Sequence, residues 1–259
     1  MGAGNNAVEA CEGLGTGYSL ISNEEWMTIA RSIESVPENW DSGIAGQGTL
    51  SRGYSTTSIG GSKPSPSTAN CLYDNSYGGS GSCSATYTAP PVPDQWLYPD
   101  NAHLYKRTLK LSTTSSEVIW DFSGNIREWV KWQIAGNERA YKTGDDPTQD
   151  NYAYQWKELT ERIGSGDVMA PETWASKYIN FDGNGLPVSG PDKINGIGSL
   201  ARWNSGSDPE SPTTIYYPQR GGSMWGRDSA GIYALLILHG DPNSDADGVW
   251  GGFRCVYHP

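Results

Sequence analysis

The chain has 259 residues, of which 36% are hydrophobic, and it carries a net charge of -11. Lysine and arginine are scattered singly, which excludes the basic stripe that binding to nucleic acid or to an anionic membrane requires. The longest apolar run, AGIYALLIL, is much shorter than the ~20 residues of a membrane-spanning helix, so no membrane insertion is expected. The 33 glycines and 16 prolines favour short strands and long ordered loops, and no linker divides residues 1–259, so we expect one domain.

Two segments have the pattern of helices. In SNEEWMTIARSIESV, Ser22 and Glu25 form a capping box, and Trp26, Ile29, Ala30 and Ile33 then share one helical face. A weaker candidate is NYAYQWKELTERIG, residues 151–164, with Trp156, Leu159 and Ile163 on one face.

The strands are expected to be short. EVIWDFSGNIREWVKW predicts strands at 118–122 and 126–132 around a Ser-Gly-Asn turn. Towards the C-terminus, TIYYPQRGGS, GIYALLILH and GFRCVYH are also typical of strands.

Four cysteines are present, without the spacing of a zinc site. Cys71 and Cys83 flank a Gly/Ser-rich segment that a disulfide between them would close, and buried free thiols are an equal alternative. The first residues lack the basic and apolar regions of a signal peptide, which is compatible with a virion protein or an intracellular one. The location is left open, with a virion or a cell surface favoured.

Sequence motifs of common catalytic sites are not found. The three histidines form no HExxH, no serine lies in a GxSxG elbow, and His103 and His258 are interpreted as surface or structural residues. Asp145 and Asp146 offer oxygen ligands for calcium but lack the spacing of a calcium loop, and a solvated turn is the favoured interpretation.

Four stretches in order resemble the formylglycine-generating (sulfatase-modifying) enzymes. They are GYSLISNEEWMTIAR, VIWDFSGNIREWV (which is similar to the family's Asp-x-x-Gly-Asn-Val-x-Glu-Trp hairpin), RGGS at 220–223 and GFRC at 252–255. The resemblance implies an α+β fold of the C-type-lectin-like, formylglycine-generating subtype. It also implies that the two cysteines of the oxidase's copper site would stand at Gly226 and Gly231, where this chain has neither, so an oxidase is disfavoured.

The C-terminal segment, residues 220–255, is also similar to the variable region of target proteins of diversity-generating retroelements, including archaeal and archaeal-virus members. In that class adenine-directed mutagenesis turns AAY codons into NNY codons, and Leu236, Leu238 and His239 stand where the template would carry asparagine. Such codons do not specify Trp or Met, so Met224, Trp225 and Trp250 are expected to be constant or to come from another template.

The resemblance therefore implies a non-enzymatic ligand-binding display protein whose partner is a protein or a glycan. The candidate ligand-binding residues are Trp225, Arg227, Asp228, Ser229, Tyr233, Leu236, Leu238, His239, Asp241, Asn243, Asp245 and Asp247. A strand over 233–238 that is buried on both faces is an equal alternative to an exposed apolar face. No cofactor is required, although a structural calcium ion near Asn125 and Glu128 is a further expectation, and a lectin-like domain of fixed specificity is the remaining alternative.

Overall fold

A computed structural model describes the parts of the chain discussed below. With side chains these are residues 6–40, 42–46, 50, 51, 53, 107–136, 196–198, 200, 213–222, 230–237 and 251–259. For 73–74, 83–84, 152–154, 180–181, 187–189, 201–203 and 238 the backbone alone is described. Within these residues the protein is a mixed α+β fold with few helices and several small sheets.

The helices of the described residues lie near the N-terminus. They are α1 (Ala7–Glu12), α2 (Asn23–Glu34) and a 3-10 turn at Pro37–Asn39. The predicted capping box is confirmed: Glu25 N donates to Ser22 Oγ at 3.2 Å, and Ser22 N donates to Glu25 Oε2 at 2.8 Å. The predicted apolar face of α2 is also confirmed, since Trp26, Ala30 and Ile33 are buried and Ile29 packs against the same core.

The strands are short, as expected. In chain order they are β1 (Tyr18–Leu20), β2 (Tyr73–Asp74), β3 (Cys83–Ser84), β4 (Thr108–Lys110), β5 (Val118–Trp120), β6 (Arg127–Trp129), β7 (Ile134–Ala135), β8 (Tyr152–Tyr154), β9 (Asn180–Phe181), β10 (Pro187–Ser189), β11 (Leu200–Trp203), β12 (Ile215–Arg220), β13 (Leu235–Leu238), β14 (Gly251–Phe253) and β15 (Cys255–Tyr257). Each of the three predicted C-terminal segments contains a strand, although GFRCVYH is divided between β14 and β15, which belong to different sheets.

The largest sheet has the order β14-β6-β12-β13-β11-β8, and β7 pairs with β12 beside this path. β14 runs parallel to β6 and β11 runs parallel to β13, while the other neighbours are antiparallel. Four pairs of strands form small sheets of their own: β1 with β15, β2 with β3, β4 with β5 and β9 with β10.

Two clusters of buried residues cover the two faces of this sheet. One joins Trp26 of α2 to Leu235 and Ile237 of β13, and the other joins Trp129 of β6 to Cys11 of α1. Trp129 and Glu128 are successive residues of a strand, so their side chains point to opposite faces, towards α1 and α2 respectively. Hence α1 and α2 pack on opposite sides of β6.

Two predictions of local structure are wrong. Tyr152–Tyr154, predicted to begin a helix, form β8, because this tripeptide finds a backbone partner in β11; the rest of 151–164 lies outside the described residues. The strands at 118–120 and 127–129 do not form a hairpin with each other: β5 pairs with β4, whereas β6 lies between β12 and β14. Left-handed backbone at Asp121, Gly124 and Asn125 separates the two strands into different sheets.

A disulfide joins the two ends of the fold. Cys11 of α1 is bonded to Cys255 of β15, across a sequence separation of 244 residues. The sequence did not indicate this pairing. The predicted Cys71–Cys83 disulfide stays a prediction, because Cys71 and the side chain of Cys83 lie outside the described residues, although strands β2 and β3 do pair between them.

Across the part of the chain that is described, the helices are all too short or too polar to cross a bilayer.

Candidate functional site

Most of the predicted ligand-binding residues lie outside the described part of the chain. These are Trp225, Arg227, Asp228, Ser229, His239, Asp241, Asn243, Asp245 and Asp247, and the same holds for Asp145 and Asp146. Of Leu238 only the backbone is described, as the last residue of β13.

Tyr233 and Leu236 are not exposed, so their prediction as surface residues is wrong. Tyr233, two residues before β13, is fully buried. Leu236 is 7% exposed, because β13 is an interior strand between β12 and β11 and both of its faces are covered. The Tyr233 hydroxyl donates to Glu34 Oε2 at 2.6 Å, and burial, followed by the neighbouring Glu34 carboxylate, raises the pKa of this phenol. The alternative of a strand buried on both faces is therefore the correct one for this part of the run.

Gly222 and Ala230, the described residues on either side of positions 223–229, lie next to each other. A Cβ atom on Gly222 would lie 2.6 Å from Ala230 Cα, and Gly231 N donates to Gly221 O at 3.2 Å, so the two points are in direct contact. The residues between them, which we call the 223–229 segment, thus begin and end at one place on the fold.

The second candidate segment begins after Leu238, at the opposite end of β13, and ends at Gly251, beside β6. We call residues 239–250, between Leu238 and Gly251, the 239–250 segment. Gly251 is the register partner of Arg127 on β6, and Glu128, the next residue, is paired with Arg220, which directly precedes Gly221. The start and end of the 223–229 segment and the end of the 239–250 segment are therefore held side by side by β12, β6 and β14.

Beneath this edge, Arg220 of the RGGS motif is a buried structural cation. Its Nε donates to Asn23 Oδ1 at 2.9 Å, its Nη1 donates to Tyr233 O at 3.2 Å, and its guanidinium lies 5.8 Å from the centre of the Trp132 ring. Complete burial lowers the pKa of Arg220 to about 9, so the group remains a cation at neutral pH. This arginine thereby ties α2 to the turn from which the 223–229 segment departs.

Trp26 of the Glu-Trp motif supports the other side of that turn. Its Nε1 donates to Ile232 O at 2.8 Å, its ring stacks on Phe122 at 4.0 Å, and it lies under Gly221. Gly124 N also donates to Gly221 O at 2.9 Å. The motif residues thus meet at Gly221 and serve to position the backbone there.

Two residues of the remaining motifs form an ion pair: Glu128, which lies in β6, and Arg254, which directly follows β14. Arg254 Nε lies 2.5 Å from Glu128 Oε2, and Arg254 Nη2 donates to the carbonyl oxygens of Trp120 and Asp121, both at 2.8 Å. Burial raises the pKa of Glu128 to about 7, against the opposing effect of Arg254. Asp121 in turn is ion-paired with Arg107.

This arrangement does not fit calcium at Asn125 and Glu128. A guanidinium occupies the position beside the Glu128 carboxylate that a cation would need, and Asn125 has a left-handed backbone, with φ of 56°, in the turn before β6. Within the described ranges, no three His, Cys, Asp or Glu side chains are grouped as metal ligands would be. The resemblance implied a structural calcium ion near Asn125 and Glu128, whereas in the structure Glu128 is ion-paired with Arg254.

The position that corresponds to one oxidase cysteine is closed to any side chain. A Cβ atom on Gly231 would lie 2.3 Å from Gly198 N and 2.5 Å from Gly196 O. These are backbone atoms, which cannot rotate away, so a cysteine at this position would require the two segments to separate. Cys255 is already in the disulfide with Cys11.

Sequence reasoning missed Arg127. This residue of β6 is mostly buried, its Nε has no hydrogen-bond partner, and burial lowers its pKa. The signal in the sequence was weak, since Arg127 occupies a freely varying position of the Asp-x-x-Gly-Asn-Val-x-Glu-Trp pattern.

A comparison with models of known protein families finds no match to this chain, and a comparison with curated protein sequences finds none either. The resemblance to formylglycine-generating enzymes and to retroelement target proteins therefore stays a prediction.

Proposed function

We propose that the protein is a non-enzymatic ligand-binding display protein on a C-type-lectin-like scaffold of the formylglycine-generating subtype. In this proposal the 223–229 and 239–250 segments carry the variable binding surface, and a protein or a glycan is the ligand. The observation that carries the proposal is the meeting of Gly222, Ala230 and Gly251 at one end of the largest sheet. Both ends of the 223–229 segment and the C-terminal end of the 239–250 segment lie at this edge, so residues of the two segments can contribute to a single surface, as antibody loops do.

The proposal is further supported because the motif residues belong to the scaffold and not to the candidate binding surface. Trp26, Arg220, Glu128 and Arg254 are each engaged in hydrogen bonds or ion pairs of the fold, so the four motifs are explained without a ligand. A surface that tolerates sequence change needs such a framework, because the framework must fold whatever the variable residues are.

The burial of Tyr233 and Leu236 reduces the set of residues that we propose for the binding surface. Substitution at either position would leave a cavity or strain the core, at a cost of about 2–5 kcal/mol for a large-to-small change. We therefore assign variation to the two segments and remove these two residues from the binding surface.

The alternative of an oxidase is disfavoured by the steric closure at Gly231. The disulfide between Cys11 and Cys255 supports a location at a virion or cell surface, because such bonds persist mainly in oxidising surroundings.

A randomisation experiment tests the proposal. One library varies residues 225–229 and 239–247, and a comparison library varies only five buried scaffold positions, among them Trp26 and Arg220. The proposal predicts that most clones of the first library resist proteolysis and unfold cooperatively, and that few of the second do. Equal loss of folded clones in both libraries would overturn it.

A further inference from the structure

Arg127 lies between the places where the two candidate segments meet the sheet. On one side, its register partner is Gly251 of β14. On the other side, Arg220 of β12 is paired with Glu128, so the next residue of that chain, Gly221, lies beside Arg127. Both neighbours are glycines, so the adjacent strands provide no side chain to cover the guanidinium at this level. The strand alternation places Arg127 on the same face as Trp129 and Phe253.

The guanidinium of Arg127 has no carboxylate partner within the described structure, where Arg107 is paired with Asp121 and Arg254 with Glu128. Its Nε is buried without an acceptor. The chain has 29 acidic residues against 18 lysines and arginines, so carboxylates are the commoner group. A mostly buried arginine that lacks an ion pair in such a chain is incompletely satisfied, and unpaired buried donors are costly.

A second unpartnered polar atom lies on the same face. Gln219 is 2% exposed, and its Oε1 has no hydrogen-bond partner in the described structure. Gln219 is the register partner of Trp129, and Trp129 lies on the same face of β6 as Arg127. The amide nitrogen of Gln219 would lie 2.8 Å from a Cβ atom on Gly251. An unsatisfied donor, Arg127 Nε, and an unsatisfied acceptor, Gln219 Oε1, therefore flank the start of β14. Of the two, only the arginine can donate to a carboxylate.

We propose that Arg127 is a constant anchor of the binding surface, and that it binds the carboxylate of an aspartate or glutamate side chain of a protein partner. This inference rests on the proposed display function and adds to it the chemistry of the ligand. An arginine fork matches a carboxylate with two parallel hydrogen bonds. Phe253, 41% exposed on the same face, adds an apolar contact, and arginine and aromatic residues are enriched in protein interfaces.

Arg127 is expected to bind a carboxylate through a close ion pair and not through long-range electrostatic attraction. The net charge of -11 disfavours acidic partners at long range, and salt screens this repulsion beyond ~10 Å. A close and partly buried ion pair is screened less, so binding through Arg127 is expected to persist at moderate salt.

The first test uses the full chain labelled with 15N at arginine. The Nε–Hε resonance of Arg127, assigned with Arg127→Lys, is followed while sodium acetate is added and while sodium chloride is added at equal ionic strength. The proposal predicts a saturable movement with acetate that chloride does not produce. No movement, or an equal movement with both salts, would contradict it.

The second test selects binders of the full chain from a random-peptide library and from a glycan array. We expect acidic peptides whose affinity falls at least about tenfold in Arg127→Gln, less in Arg127→Lys, which keeps the charge without the fork, and less than about twofold in Lys131→Gln. Lys131 is an exposed residue two positions after the end of β6, so its variant matches the loss of charge.

The outcomes separate this inference from the proposed function. Peptides without acidic residues that bind wild type and Arg127→Gln equally would overturn the carboxylate anchor and leave the display function standing. Binding confined to acidic glycans would overturn the assignment to a protein partner. Saturation with acetate, together with a failure of the randomised segments to fold, would support the carboxylate site and remove the display function.

Discussion

The stability of this protein is expected to depend on pH through Glu128 with a sign opposite to that of an ordinary paired carboxylate. Burial on β6 is the largest influence and raises the pKa of Glu128 from 4.5 to about 7, even though Arg254 opposes it and Asp121 adds a smaller increase. The folded state therefore binds this proton more tightly than the unfolded state does. The stabilisation is fully present below pH 4.5 and is lost as the pH rises to about 7.

The expected magnitude is about 3 kcal/mol, since each pH unit between the two pKa values corresponds to about 1.4 kcal/mol. Urea unfolding followed by tryptophan fluorescence, between about pH 4 and pH 8, gives the free energy of unfolding of wild type and of Glu128→Gln. The variant cannot titrate at this position, so the wild-type value minus the variant value should fall by about 3 kcal/mol over this range.

Glu117→Gln, which removes an exposed carboxylate near β5, controls for a general effect of charge and should give a nearly constant difference. A constant difference for Glu128→Gln would mean that burial does not perturb this carboxyl. A difference that grows with pH would mean that the ion pair with Arg254 outweighs burial, and either result would refute the reasoning.

Three further predictions concern the scaffold. Gly231→Ala should lower the melting temperature strongly or prevent folding, because its Cβ would lie 2.3 Å from Gly198 N; an unchanged melting curve would show that the backbone is not so closely packed. Cys11→Ser should reduce the free energy of unfolding, measured in urea, by about 5 kcal/mol, because the disulfide closes a chain separation of 244 residues. Chemical reduction of the wild-type disulfide should have the same effect, and a loss below about 1 kcal/mol would contradict a structural disulfide. Ser22→Ala should cost about 1 kcal/mol in the same assay through loss of the helix cap, whereas Ser115→Ala, outside any helix, should be nearly neutral; equal effects would refute the capping role.

Local sequence signals predicted the elements whose cause is local. The capping box at Ser22 and the apolar face through Trp26 define α2 within a few residues, and the apolar run at 235–238 defines β13. Such patterns depend on neighbours along the chain, which the sequence shows directly.

Pairing between distant segments was not predictable in the same way. Val118 and Trp129 lie in strands close in sequence, yet their partners are β4 on one side and β12 and β14 on the other. The left-handed residues Asp121 and Asn125 turn the chain out of a hairpin, and nothing in their identity distinguishes that turn from a hairpin turn.

The sequence indicated a candidate site at residues 220–255 but could not indicate which of its residues are exposed. Leu236 lies in an apolar run, and a strand with two apolar sets of residues is compatible with burial on one face or on both. Only the position of β13 between β12 and β11 decides the matter. Arg127 was missed because its importance comes from what its neighbours lack, and those neighbours, Gly221 and Gly251, are distant in sequence.

The central claim is that residues 225–229 and 239–247 vary while the scaffold stays constant. Sequencing the DNA around the gene in sibling genomes tests it most directly. The account predicts a near-copy of the terminal segment, with adenines at codons of these two stretches, beside a reverse-transcriptase gene, and unchanged codons for Arg127, Arg220 and Tyr233. Invariant codons throughout 225–247, with no such copy, would contradict the claim and leave a binding domain of fixed specificity.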